Sequence, residues 1–307
     1  MTAKITVIGS LNMDLVTRAA KIPAPGETVI GGDLHTMPGG KGANQAVAAA
    51  RLGAEVSMVG RVGHDLFAQQ LVDNLTAVHV DHTYVTQDPQ AASGVALIVI
   101  DDAGENVIVV APGANGRLSP ADVDAAEAAI QAADAVLLQL EIPLTAVLRA
   151  AQLAHKHGVK VILNPAPAQP LPGELLALVD ILIPNETETA LLTGMPAHTP
   201  SEIEAAAAKL RQSGVGTIIM TLGERGALLT NEAGTIHFPP YVPQKVVDTT
   251  AAGDAFVGGL ATALAEGKSL AEAVPWGNAT GSLAVTRMGA QPSLPTRAEV
   301  EALLART

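Results

Sequence analysis

The chain has no cysteine. That removes disulfides, thiolate nucleophiles and cysteine-based zinc sites, and it agrees with a reducing cytoplasm. Aromatic residues make up only 2% of the sequence, so little is on hand to stack against nucleobases. Positive charge is scarce as well: 18 Lys and Arg stand against 30 Asp and Glu, a formal net charge of −12. A nucleic-acid duplex or an anionic membrane would want a basic face, and Lys and Arg cluster nowhere, so neither is expected as a partner. No uncharged apolar run reaches the ~18 residues that would span a bilayer. The mean hydropathy of +0.31 comes instead from alanine-rich stretches such as AAEAAIQAADAVLL. The opening MTAKITVIGS has no basic segment ahead of a long apolar one and reads as a first strand rather than a signal peptide. Two phosphate-binding fingerprints are missing too. There is no GxxxxGK[ST] loop, since TALAEGKS (262–269) has Thr262 where the first glycine must stand and reads as a helix end at Gly267. There is no GxGxxG either, which argues against a dinucleotide-dependent dehydrogenase.

What is present is globular: 307 residues, 48% hydrophobic and 16% charged. Short apolar runs rich in β-branched residues alternate with helical patterns. Strands are expected at 4–9, 56–60, 135–140, 160–164, 180–184 and 217–221. Helices are expected near 42–52, 65–76, 120–132, 144–157, 186–193, 201–213, 253–266, 269–286 and 296–305. Strands apolar throughout suit a parallel sheet covered by helices on both faces, a doubly wound α/β fold. Two stretches break the alternation. Residues 93–115 read as a hairpin around a DDAG turn, and 15–38 hold the short run ETVIGG among Pro and Gly. We expect a single domain over 1–307, with about 15–38 and 93–112 forming a small β-sheet lid beside the main sheet.

Ligands of open α/β sheets lie beyond the carboxyl ends of the strands. Just past the expected strands stand Ser10, Asn12, Asp14, Glu141, Asn164, Asn185, Glu188, Thr221, Gly223 and Gly226. Each fits an ordinary polar loop, and Asn185 fits a helix cap; together they point at one edge. Residues 248–256, DTTAAGDAF, put small side chains directly ahead of an acid where a helix begins. A helix N-terminus offers unpaired N–H groups to an anion, and small residues let a phosphate come close. Asp254 is then either a favourable partner of the helix dipole or a base beside the phosphate. A second loop, PGGKGANQAVAAARLG (38–53), surrounds Lys41 and Asn44 with Gly39, Gly40 and Gly42. It reads as a glycine-rich turn with a surface lysine or, more in keeping with a lysine so hemmed in, as a loop that closes on a hydroxylated ligand.

GGKGANQAVAAARLG and DTTAAGDAFVGGL resemble the two signatures of the ribokinase, or PfkB-type, family of carbohydrate kinases. The resemblance extends through GSLNMD (9–14), Asn185–Glu188 as an NxxE motif, TLGERG (221–226) and TRMGAQPS (286–293). It implies transfer of the ATP γ-phosphoryl group to a sugar hydroxyl, here the 5-hydroxyl of D-ribose. Asp254 would be the base, and the N–H groups around Ala252, Gly253 and Asp254 the anion hole. The sugar would lie against Asn12, Asp14, Gly40, Lys41, Asn44 and Glu141. Nucleotide would lie near Asn185, Thr221, Gly223, Gly226, Gly253 and Asn278, the last departing from the histidine expected there. Glu188 would organise Mg2+ through water. Asp248, the carbonyls of Thr250, Ala284, Arg287 and Gly289, and Ser293 would hold K+. The resemblance also implies a homodimer formed through the lid. A 2-deoxyribose kinase or another sugar or nucleoside kinase is the near alternative, and a non-catalytic sugar sensor the distant one. Members that take deoxyribose carry an apolar residue at the place of Asn12, so Asn12 points to ribose. Met13 and Trp276 read as packing. His155 and His157 suit a helix C-terminus, and they have no carboxylate close by in the sequence to suggest a metal.

Overall fold

The computed structural model describes residues 2–306. Its first half runs β1 (Lys4–Ile8), β2 (Asn12–Arg18), β3 (His35–Gly39), α1 (Lys41–Arg51), β4 (Glu55–Val62), α2 (Leu66–Ala77), β5 (Asp81–Gln87), β6 (Gly94–Ile100), β7 (Asn106–Ala111), α3 (Pro120–Ala125), α4 (Glu127–Ala132) and β8 (Ala135–Leu138). There follow α5 (Leu144–Lys156), β9 (Lys160–Leu163), α6 (Gly173–Leu176), β10 (Ile181–Leu182), α7 (Glu186–Thr193), α8 (Pro200–Gln212), β11 (Thr217–Thr221), β12 (Ala227–Asn231) and β13 (Gly234–Phe238). Helices α9 (Ala252–Ala265), α10 (Leu270–Ala284) and α11 (Arg297–Leu304) close the chain.

Nine strands form one sheet in the order β13-β12-β11-β10-β9-β8-β1-β4-β5. It is parallel from β11 through β5 and antiparallel only at β12 and β13. Helices cover both faces, and each face has its own apolar core: α1, α9 and α10 pack on one, α5 and α8 on the other. This is the expected doubly wound arrangement. A second sheet, β3-β2-β6-β7, stands apart.

Helix starts fall within a residue or so of expectation because most carry their own caps. Asp65 accepts from the N–H groups of Phe67 and Ala68, and Ser119, Thr199, Ser269 and Thr296 each form a capping box with the acid three residues on. The expected helix over 120–132 is instead two, parted at Ala126. The expected strand at 180–184 pairs over two residues only. Strands β5, β12 and β13 were not expected; β5 and β13 are the sheet's two edges, where exposed and half-exposed side chains break the apolar run, whereas β12 is buried but only five residues long and turns back antiparallel between β11 and β13. In the small sheet, ETVIGG is not a strand; the pairing segments are 12–18 and 35–39 on either side of it. Hairpin β6–β7 forms as read. Trp276 is buried in the core with the cations of Lys268 and Arg297 each 5.2 Å from its ring.

One packing detail places the site. Helices α1 and α9 touch through small residues: a Cβ on Gly258 would stand 2.5 Å from the Cβ of Ala48. That close crossing brings the first turn of α9 over the first turn of α1.

Candidate active site

The chain leaves β1 at the sheet's carboxyl edge and passes directly into β2 of the small sheet. Asn12 and Asp14, two residues apart, share one face of β2. Both are buried. The amide of Asn12 is clamped: its Oδ1 accepts from Asn115 Nδ2 at 2.7 Å and its Nδ2 donates to Glu141 Oε2 at 3.3 Å. Asn115 was not legible as a site residue. Its side chain also bonds both backbone groups of Leu11, so it fixes the crossing and the Asn12 amide together. Glu141 Oε2 further accepts from Ser10 Oγ at 2.5 Å and from the Lys41 N–H at 3.1 Å.

The glycine loop before α1 fits against the protein itself. A Cβ on Gly42 would lie 2.6 Å from the backbone of Gly9 and Ser10, and one on Gly40, at φ +88°, would lie 2.6 Å from the Asn12 nitrogen. The first N–H groups of α1 are all taken, Lys41 by Glu141, Gly42 by the Ser10 hydroxyl and Ala43 by the Ser10 carbonyl. This end of α1 therefore has no N–H left for an anion.

The start of α9 is the opposite. The N–H groups of Gly253 and Asp254 have no partner among the described residues, and a Cβ on Gly253 would meet nothing within 4 Å. Asp254 itself is buried, with Oδ2 accepting from Asn44 Nδ2 at 2.9 Å and Oδ1 from Gln45 Nε2 at 3.0 Å. A cavity of about 210 Å³ opens here, lined among others by Lys41, Asn185, Glu188, Thr221, Gly253 and Asp254. The sequence-read residues of α1, β11, α7 and α9 thus meet around one space.

Its electrostatics are those of several acids around one lysine. Burial pushes the Asp254 carboxyl above the usual range, and Lys41 and the Asn44 and Gln45 amides pull against it. Asp14 is pushed up to about 7, first by burial and then by the carboxylates of Glu141 and Asp254. Burial disfavours the Lys41 ammonium, but Asp254, Glu141, Glu188 and Asp14 together outweigh it and its pKa is raised. Burial also raises Glu188, against the Asn185 N–H and Lys41.

Asn185 and Glu188 form the capping box of α7: Asn185 Oδ1 takes the Glu188 N–H and Glu188 Oε2 the Asn185 N–H, each at 2.8 Å. The capping reading of Asn185 therefore holds, and it also lines the cavity. Thr221 bridges to Asn185 at the end of β11, and Gly223 and Gly226 bracket the turn into β12. Asn278 on α10 donates its amide to the Pro239 carbonyl at 3.0 Å, so it pins the chain beyond β13. Asp248 ties two distant loops together: Oδ1 accepts from the Thr250 N–H at 2.9 Å and its hydroxyl at 2.5 Å, and Oδ2 from the Gly289 N–H at 2.9 Å. Val247 and Asp248 also donate their N–H groups to the Val285 carbonyl, so the two loops meet there, and the Ser293 hydroxyl donates to Ala290 O at 2.7 Å. Away from this edge His157 does have a carboxylate beside it, Glu127 at 2.7 Å, with Lys156 on the same oxygen. Among the described residues, no three His, Asp or Glu gather closely enough to hold a metal.

Comparison with known proteins gives the arrangement its context. Residues 2–297 match the pfkB family carbohydrate kinases. The chain is 44% identical to a ribokinase of Haemophilus influenzae over 97% of both chains. It is 40% identical to a deoxyribokinase of Salmonella typhimurium over 95% of both. Ribokinase of Arabidopsis thaliana, solved with ribose and ATP, superposes with a TM-score of 0.90 at 36% identity, covering 99% of each chain.

Proposed function

Because the chain belongs to the pfkB family of carbohydrate kinases, we propose that it transfers the γ-phosphoryl group of ATP to the 5-hydroxyl of D-ribose, giving D-ribose 5-phosphate. The observation that carries the reading is the start of α9: two N–H groups without partners stand beside a buried carboxylate. Phosphoryl transfer needs positioning and charge neutralisation more than covalent help, and this helix end supplies both without a glycine-rich P-loop. Asp254 takes the proton of the 5-hydroxyl as the new O–P bond forms. The bond from the γ-phosphorus to the bridging oxygen breaks, and ADP leaves. The N–H groups of Gly253 and Asp254 receive the charge that builds on the phosphoryl oxygens; the Ala252 N–H, expected to join them, is instead taken by the Thr249 carbonyl at 3.2 Å.

The sugar lies between β2 and α1. Asp14 accepts from two hydroxyls when ionised. Asn12, its oxygen held by Asn115, keeps a free N–H for the 2- and 3-hydroxyl side. Lys41, Asn44, Gly40 and Glu141 complete the contact. A site built to bond a hydroxyl disfavours the analogue that lacks it, so ribose is preferred over 2-deoxyribose. The nucleotide lies along Asn185, Thr221, Gly223 and Gly226, with Asn278 shaping that edge from behind.

Two cations suit the residues present. Glu188 has one oxygen held by the Asn185 N–H and one left to order the water around Mg2+, which neutralises phosphate charge when bound. The Asp248 carboxylate, the carbonyls of Thr250, Ala284, Arg287 and Gly289, and Ser293 would supply hard oxygen donors for K+, whose charge would help fix the loop ahead of α9. The small sheet acts as a lid that keeps water from the transferring group. Its β6–β7 hairpin exposes Leu97, Val107 and Val109 as a stripe on one face, and Ile108 and Val110 on the other. A second copy of the chain would cover that stripe, and a homodimer is the expected state by sedimentation, with Val109→Asp dissociating it. Among the described residues no helix is long and apolar enough to cross a membrane, and we place the enzyme in the cytoplasm.

The test is ADP release with ATP, Mg2+ and K+, offering D-ribose and 2-deoxy-D-ribose in parallel. The reading predicts a preference for ribose in kcat/KM of about tenfold or more. A preference for deoxyribose would overturn the substrate and keep the mechanism; turnover with neither would overturn both.

A further inference from the structure

Behind Asp254 lies a row of buried amides that starts from Gln45 of the first signature and runs outside both motifs to Gln139 and Asn164. Gln139, just past β8, donates its Nε2 to Gln45 Oε1 at 2.7 Å. Gln45, on α1, donates its Nε2 both to Asp254 Oδ1 at 3.0 Å and to Asn164 Oδ1 at 3.2 Å. Asn164 donates in turn to the carbonyl of Ile183 at 3.0 Å. Gln45 and Gln139 are both fully buried, at 0% exposure, in a core otherwise lined by aliphatic side chains. Glutamine is among the residues least often buried so completely, and a buried amide is costly unless it is used.

The direction of this row is fixed from its ends. A backbone carbonyl only accepts, so Ile183 forces Asn164 to present its nitrogen there and its oxygen to Gln45. A carboxylate only accepts, so Asp254 makes the same demand. Gln45 therefore has to turn its NH2 toward both, and its oxygen has to face Gln139. Gln139 holds that oxygen, which prevents the amide from flipping. Asp254 Oδ1 is thus bound by a donor that cannot turn away, while Oδ2 accepts from Asn44 Nδ2 at 2.9 Å and keeps a second acceptor position.

We propose that Gln45, locked by Gln139 and Asn164, is a positioning residue that pins Oδ1 of Asp254 and so reserves Oδ2 to take the proton of the sugar hydroxyl. The proposal rests on the reading of Asp254 as the base. A carboxylate free to rotate would present its lone pairs off line from the hydroxyl, and small misplacements of a reacting group are expensive in rate. Gln139 touches neither Asp254 nor the cavity and acts only through Gln45.

The test is steady-state kinetics on Gln45→Met, Gln139→Met and the double variant, with Asp254→Asn as control. Gln45→Met is expected to lower kcat by about tenfold or more while both KM values stay within about threefold. Gln139→Met should lower kcat less, and the double variant should be no worse than Gln45→Met, because residues acting in series are not additive. A kcat for Gln45→Met within about twofold of the parent, or losses that multiply, contradicts the proposal. A merely structural role would lower the melting temperature without that split or that non-additivity. If the methionine variants do not fold, the shape-preserving Gln45→Glu serves. It sets a second carboxyl against Oδ1 and is expected to cost about tenfold or more in kcat, and an unchanged kcat contradicts the proposal. Should Asp254→Asn itself turn over within about tenfold of the parent, the base assignment fails and not merely its support.

Discussion

Two helices begin at this site, each with small residues around its first turn, and they use them for opposite purposes. At the start of α1 the glycines are pressed against the protein itself, Gly39 against the Asp14 carboxylate and Gly40 and Gly42 against backbone, and every early N–H has a partner. At α9 the added Cβ of Gly253 would stand in open space beside two N–H groups without partners. In the first case smallness lets the chain close on itself and bring Asn12, Asp14, Lys41 and Asn44 together. In the second it leaves room for something else. A glycine-rich loop is therefore not by itself a ligand cradle; what matters is which side of the glycine is full.

Alanine substitutions break this comparison most sharply. Gly42→Ala forces a methyl into the backbone of Gly9 and Ser10, an overpacking cost on the order of 3 kcal/mol. The melting temperature should fall by roughly 5 °C for a chain of this length. Gly253→Ala should leave the melting temperature within about 2 °C or raise it, since alanine is the better helix former. Its kcat should nonetheless fall about tenfold, because the methyl stands where the phosphoryl group approaches. Calorimetry and kinetics on both variants check this, and equal losses of stability would erase the distinction.

The same contrast shows what the sequence disclosed. Asp254 stood out because an acid after a run of small residues at a helix start can be a dipole partner or a base, and the resemblance to the family's second signature pointed to the base. The parallel strands and capped helices were legible from their apolar runs and capping residues. The glycines of 39–42 were noticed, but whether they face a ligand or the chain depends on Gly9, some thirty residues away. Asn115, Gln45 and Gln139 were invisible for a related reason. A buried amide reads in sequence as ordinary helix or loop polarity, and only the fold shows that it faces another polar group. Edge strands β5 and β13 escaped because only strands covered on both faces give continuous apolar runs.

Charge sharpens the comparison next. Asp14 keeps its proton in the folded protein up to about 7, whereas the unfolded chain releases it near 3.8. Folding therefore retains a proton between these values, and this group's contribution to stability is lost as pH rises through about 7. Asp14→Asn should melt a few degrees higher than the parent at about pH 8, with the gain shrinking toward about pH 5. Sugar binding has the opposite sign. The ionised form accepts two hydroxyls, so the KM for ribose should climb as pH falls below about 7 in the parent. A KM flat with pH would remove Asp14 as the acceptor.

The smallest effect concerns the loop ahead of α9. If oxygens of 248–250 and 284–293 hold K+, replacing potassium by tetramethylammonium should lower the rate several-fold, about 3–10-fold, through geometry alone. Equal rates in the two salts would dissociate that loop pair from the working of α9.

The central claim is that α9 presents an anion hole and a base side by side, and Asp254→Asn tests it most directly. Single-turnover phosphoryl transfer to ribose should fall by about 10³-fold while ATP affinity stays within about threefold, because only the proton acceptor is removed and the helix end remains. Transfer within about tenfold of the parent, with ATP still bound, would contradict the account.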